Sequence, residues 1–312
     1  MPTPAGGSTS FPVTENEFYT AVETIARQEI RSVKSASRLD DALFYYDLTE
    51  DNGTVIEQAV MDKATAQAFD PTTCKKEPHD PKLIVRYFQD WKTRQYYATL
   101  RRDEIRKIVA NKSMTVDEIA AEIIDTTTQG NSADEFKTER DLILKTDVTD
   151  FASILGGSPT NMKGVIFAMR EMYNYLKGDN TNFTQLGFAS HTPAEDIRIA
   201  VTERVLNLID IVELANVFNL SKEELFGKLV VIPTTDQTSP ELYKIVVYDR
   251  KAFNRARRIY SLDPDECVSA RFKNFILTVE DMYFYSSLFK ATSLDVTAAA
   301  TAAFNSLITP AA

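Results

Sequence analysis

Residues 243–294 constrain the fold of this 312-residue chain more than any other stretch. Tyr243–Val247 is an apolar run that ends at Asp249-Arg250-Lys251, and a second extended run, Ala256–Leu262, stops at Asp263-Pro264-Asp265. A much longer segment opens at Arg271. Its odd positions read Phe275, Leu277, Val279, Asp281, Tyr283, Tyr285, Ser287 and Phe289, while the more polar Asn274, Thr278, Glu280 and Ser286 hold even ones. A two-residue period of aromatic and branched side chains predicts a strand, because successive strand residues point to opposite faces. Roughly eighteen residues at about 3.3 Å each would reach about 60 Å, well past the usual strand, so a bend or break is expected within it. Elements of that length suit an elongated plate better than a compact enzyme domain.

Helix starts are marked by side-chain chemistry. Thr14-Glu15-Asn16-Glu17 and Thr115-Val116-Asp117-Glu118 both have the capping-box pattern, in which the threonine hydroxyl and the glutamate satisfy orphan backbone donors. The first predicts a short helix carrying Phe18, Val22 and Ile25. The second predicts a long helix from about 115 to 144, with Val116, Ile119, Ile123 and Ile124 as its apolar stripe and a bend at Gly130. Between them, Asn52-Gly53 predicts a hairpin joining Leu43–Tyr46 to Thr54–Ile56, since its turn needs positive φ at both central residues. Leu83–Phe88 and Tyr96–Leu100 read as further strands. Residues 36–100 thus form an extended excursion without a core of its own, which must lie on the rest of this chain or on another chain. Gly156-Gly157-Ser158-Pro159 marks a boundary. Beyond it come a helix (Met162–Leu176), a strand (Ile197–Thr202), helices around 202–209 and 211–218, a short capped helix from Ser221 to Gly227, and a strand to Ile232, together a compact α/β unit.

The chemistry of binding and catalysis is sparse. An apolar fraction of 44% is enough for a core, and a net charge of −10 argues against a protein that grips nucleic acid by neutralising phosphates. Cys74 and Cys267 lack a CxxC partner, and two cysteines make no disulfide framework. His79 and His191 stand apart from other ligand types, and neither an HExxH helix nor a GxSxG turn occurs. The acidic run 47–53 misses the carboxylates of a calcium loop, and the glycines after 156 miss the phosphate-loop spacing. Arg101-Arg102 with Arg106-Lys107, and Lys251 with Arg255, Arg257 and Arg258, could touch nucleic acid or pair with acidic neighbours; the excess of carboxylates favours pairing. No catalytic, cofactor-binding or metal-ligating residue is therefore expected, and no enzyme activity. The first residues lack the charged and apolar regions of a secretory signal, and no apolar run reaches 18 residues, so a membrane-spanning helix is not expected. Residues 1–10, rich in Pro, Gly, Ser and Thr, predict a loose arm.

The order of these parts resembles the major capsid proteins of tailed phages with the Hong Kong 97-type fold, and most nearly the head proteins of small short-tailed phages of the Bacillus phi 29 type. Glu29-Ile30-Arg31, Leu43-Phe44 and Gly53–Glu57 are similar to the family's way into its extended loop, and Ala68-Phe69-Asp70 with Arg94–Tyr97 to its way out. Asp134-Glu135-Phe136 resembles an acidic-aromatic step in its spine helix, and Leu208–Asp210, Leu214–Asn219 and Leu225–Gly227 resemble its axial domain. Val247–Phe253 and Arg271–Asn274 are similar to its return to the peripheral domain.

The resemblance implies an α+β capsid fold. Its parts would be an N-terminal arm at 1–35, an extended loop at 36–95, a peripheral domain with the spine helix at 96–155 and 251–312, and an axial domain at 156–250. It implies a subunit that assembles, as hexamers and pentamers, into an icosahedral head around double-stranded DNA bound without sequence specificity. Some members of the wider fold crosslink a lysine to an asparagine between subunits, but no motif here assigns such a pair, and non-covalent assembly is expected. A separate scaffolding protein and a portal would be partners, with assembly in the bacterial host cytoplasm and residence in the virion. Within the loop, Phe44, Tyr45, Tyr46, Tyr87 and Trp91 are candidate intersubunit anchors, since aromatic side chains dominate interface energetics. An encapsulin-like compartment shares the fold, and a soluble α/β enzyme is the reading from another class.

Overall fold

The computed structural model describes residues 20–22, 24, 39, 41–48, 54–63, 81–101, 103, 107, 115–209, 228–233, 240–267 and 272–308. Of the helix expected from Thr14, residues 20–22 and 24 fall within these and are helical. The Asn52-Gly53 turn, Cys74, His79 and the helices expected at 211–227 lie outside them. In chain order the strands are β1 (Phe44–Asp47), β2 (Ile56–Met61), β3 (Leu83–Phe88), β4 (Lys92–Arg101), β5 (Thr149–Asp150), β6 (Ile197–Thr202), β7 (Leu229–Ile232), β8 (Lys244–Asp249), β9 (Phe253–Cys267), β10 (Phe272–Tyr285) and β11 (Ala291–Asp295). The helices are α1 (Val116–Lys145), α2 (Ala152–Leu155), α3 (Met162–Lys177), α4 (Glu203–Leu206) and α5 (Thr297–Ile308).

Two long antiparallel strands, β9 and β10, form the middle of a four-stranded sheet ordered β1-β9-β10-β4. The expected break in the long segment is there: β10 ends at Tyr285, a turn follows, and β11 continues in another sheet. β9 runs through Asp263-Pro264-Asp265, where an end was expected. Proline has no N–H to donate, and Pro264 sits where β9 has β10 on one side while β1 reaches only Arg257 on the other. The register slips once. Glu280 pairs with Ile259 but Asp281 pairs with Arg257, leaving Arg258 as the extra residue of a bulge. The slip changes which residues of β9 face inward: Tyr260 and Leu262 share a face with Val279 and Leu277 before it, Arg255 and Arg257 with Tyr283 and Asp281 after it.

That inner face is covered by α1, a single unbroken helix of 30 residues. The capping box is complete. Thr115 Oγ1 accepts the Glu118 N–H at 3.2 Å, and the Glu118 carboxylate accepts the Thr115 N–H at 2.7 Å. Ile119, Ala120, Ile123 and Ile124 pack on Leu262, Phe275, Leu277 and Val279, and Val22 joins them. The helix runs through Gly130 without interruption. A Cβ there would stand 3.2 Å from the Tyr96 ring, so the glycine lets helix and β4 approach closely rather than breaking the helix.

The second sheet has five strands in the order β5-β11-β8-β6-β7. β6 and most of β8 are buried, as expected of strands covered on both faces. α3 turns Val165, Ile166, Met169, Met172, Tyr173 and Leu176 onto this sheet, joined by Ala299 of α5. Asn161 caps α3 by accepting the Gly164 N–H at 2.8 Å. At its far end the buried Lys290 ammonium donates to the carbonyls of Tyr175, Leu176 and Gly178. A third cluster, including Leu43, Phe136, Ile143, Val246, Tyr248 and Phe253, joins the two sheets. The strip ahead of β1 is pinned across this junction by Asp41, which bridges Arg198 (2.6 Å) and Arg250 (2.7 Å).

The excursion differs from its expected pairing. β1 does not form a hairpin with residues 54–56; it adds to β9 as a parallel strand, and β2 pairs antiparallel with β3 instead. A turn signal fixes local backbone shape but does not choose a strand's partner, and β9 offers Phe44–Asp47 a long open edge.

Candidate functional site

Two features stand out beyond ordinary packing: a buried ionic cluster under α1, and the two-stranded hairpin of β2 and β3. The cluster follows from the bulge at Arg258, which turns both Arg255 and Arg257 toward the helix. Arg257 Nε donates to Asp281 at 2.8 Å and its Nη2 also pairs with Glu135. Arg255 lies 2.7 Å from Glu135 and 3.1 Å from Glu139, and Arg94 reaches Asp281 at 3.2 Å. Burial alone would pull the Arg257 guanidinium down, but its hydrogen bond and charge interaction with Asp281 and the nearby Glu135 hold it above its ordinary value. Burial likewise raises the Tyr283 hydroxyl, whose ring lies 5.5 Å from the Arg255 guanidinium. Three guanidiniums face three carboxylates, so the cluster is a clamp and not an acid–base pair.

Arg258, on the other side of the bulge, holds Glu280 with two bonds of 2.7 Å and lies 5.0 Å over the Trp91 ring. The basic group 251–258 is thus largely matched within the chain. Among the described residues no group of three His, Cys, Asp or Glu side chains could hold a metal, and His191 is an exposed loop residue.

The hairpin is held at its base. Ile56 packs with Ala256, Met282 and Phe284, and Phe88 stacks on Phe284 at 4.0 Å between ring centres. The buried Gln58 side chain donates to Tyr46 Oη (3.0 Å) and Asn254 Oδ1 (3.1 Å), and the Trp91 indole donates to the Thr54 carbonyl at 2.7 Å. Two parts of the hairpin are bare: at its far end Met61 and Leu83 pair across the strands while 57% and 60% exposed, and next to its base Tyr87, opposite Glu57, is 65% exposed. Its further ties to the subunit are solvent-facing, Lys63 to Asp179 (3.0 Å) and Arg86 to Gln185 (3.3 Å).

The five aromatic residues singled out from sequence therefore fall in different settings. Tyr46 and Trp91 pack against the hairpin base, and Phe44 meets Tyr46 edge-on at 4.9 Å. Tyr45 is 45% exposed beside Arg255, and Tyr87 is open to solvent. Met61 and Leu83 were not singled out, because a search for aromatic anchors passes over aliphatic ones; the signal was two apolar residues at the strand ends flanking the polar stretch 62–82.

Residues 5–294 match the family described as Phi29-like phage major capsid protein. No curated protein matches the chain in sequence. Among solved structures, the fold is similar to the capsid of Staphylococcus phage Andhra, with 10% identity, a TM-score of 0.60 and coverage of 84% of this chain and 85% of that one. It is also similar to the mature capsid of bacteriophage PhiM1 (8% identity, TM-score 0.50, 85% and 88% covered). The head of Helicobacter pylori bacteriophage KHP40 gives 10% identity and a TM-score of 0.50, with 84% and 90% covered. The architecture is the α+β capsid fold of the Hong Kong 97 type. The chain belongs to the family of Phi29-like phage major capsid proteins and is a subunit of a phage capsid shell.

Proposed function

We propose that this subunit assembles as hexamers and pentamers into an icosahedral head around double-stranded DNA, without catalytic activity. The observation that carries the reading is the hairpin of β2 and β3, seated at its base while Met61, Leu83 and Tyr87 remain exposed. A lone two-stranded ribbon is marginal in water, and apolar side chains at its far end gain most by burial against another subunit. Tyr45 and Tyr87 are the aromatic residues of the excursion best placed to reach a neighbour. Trp91, Tyr46 and Phe44 would set the hairpin's angle from within the subunit.

The four-stranded sheet with α1 would be the peripheral domain. The five-stranded sheet with α3 would be the axial domain, and it would take in β11 and α5, which the boundary drawn at residue 251 gave to the peripheral one. The hairpin would be the extended loop, and the first 35 residues the arm. The net charge of −10 supports a container that encloses DNA without gripping it by sequence. A scaffolding protein and a portal would be partners in the host cytoplasm, and the mature subunit would reside in the virion. The phage family match favours this head over a protein-cargo compartment. Sedimentation of the protein expressed with its scaffolding partner tests the reading: multi-megadalton particles are expected, and a stable monomer or dimer under the same conditions would refute it.

A further inference from the structure

At one end of the four-stranded sheet, the face turned away from α1 carries opposite charges on its two edges. β10 turns Phe275, Leu277 and Val279 into the core beneath α1, so its even residues stand on the outer face. Asp263 and Asp265 of β9 pair with Ile276 and Asn274, and Arg101 of β4 pairs with Phe272; all three charges therefore share that outer face. All three are exposed.

No described strand covers either edge here, because β1 pairs only with Asn254–Arg257 of β9 and β4 is outermost. Elsewhere in the same sheet, Arg94, Arg255, Arg257 and Arg258 are matched to carboxylates within the chain. Asp265 and Arg101 make no ion pair with any described residue.

We infer that a second copy of this chain docks edge to edge at this end of the sheet, the acidic β9 edge of one copy against the basic β4 edge of the next. A two-fold contact between like edges would oppose like charges, whereas a head-to-tail contact matches opposite ones and closes into a ring when the rotation permits. The inference rests on the shell reading and adds to it the side chains by which copies meet.

Charge exchange tests it in the assembly assay above. Asp263→Lys with Asp265→Lys, and separately Arg101→Glu, should each lower particle yield about tenfold, the factor corresponding to about 1.4 kcal/mol. Combining all three should restore most of the yield. Circular dichroism of the subunit shows whether each variant folds. The milder Asp265→Asn and Arg101→Gln should lower yield and weaken its dependence on salt, and they serve if a reversed variant does not fold. Wild-type yield from either reversal would overturn the inference while leaving the shell reading intact, and so would loss in both reversals without recovery in the combination. Absence of particles from the wild-type chain would instead overturn the shell reading itself.

Discussion

Asp281 shows how much one residue can hold. It is 1% exposed and accepts from Arg257 and Arg94, two guanidiniums that lose their common acceptor if it is removed. Breaking a buried pair from one side typically costs about 3–5 kcal/mol, because the remaining charge is stranded away from water. Asp281→Ala should therefore lower the subunit's unfolding free energy, extrapolated from denaturant titration, by an amount in that range. A loss under about 1 kcal/mol, the scale of an exposed pair, would show that the cluster contributes little. Glu280 is the acid-sensitive member of the sheet. Its bonds to Arg258 hold its carboxyl below the usual range. Since the folded value lies below the unfolded one, ordinarily about 4.3, the pair adds stability above that pH and loses it as pH falls through the folded value. Glu280→Gln should flatten the subunit's loss of stability below about pH 4.3, measured by denaturation at a series of pH values.

At the level of elements, what could be read from the sequence was what is encoded locally. Thr115 and Glu118 announce the start of α1, and alternation announces β10. The partner of β1 could not be read, because Phe44–Asp47 joins a strand some two hundred residues away and nothing near it records that choice. The bulge was equally hidden: Arg255, Arg257 and Arg258 look alike in sequence, yet one slipped register sends two under α1 and one toward Trp91. For the candidate site, Tyr87 was visible as an aromatic strand residue, while Met61 and Leu83 emerged only with their pairing. Trp91 belongs at this scale because it supports a whole hairpin. Trp91→Ala removes the indole bond to Thr54 and the ring under Arg258 but leaves both sheets their clusters. Particle yield should fall while the subunit's circular dichroism spectrum stays as it was. Unchanged yield would remove the hairpin base from the assembly mechanism.

For the whole molecule, the division of labour between the core and the hairpin's exposed apolar side chains can be separated by experiment. The two sheets share an apolar junction around Tyr248 and Phe253, so the subunit has a complete interior without the hairpin's far end. Met61 and Leu83 contribute little to that interior, being more than half exposed. A charged side chain at either position should cost the isolated subunit no more than a typical surface change, within about 0.5 kcal/mol. In the shell the same charge would be carried into an apolar contact, where an unpaired ion is strongly unfavourable and the penalty recurs at every copy. Met61→Asp with Leu83→Asp should therefore leave the subunit's thermal midpoint nearly unmoved and abolish sedimenting particles. If particles form at the wild-type level, the hairpin faces solvent in the assembled head; if the midpoint collapses instead, its far end is part of the subunit's own fold.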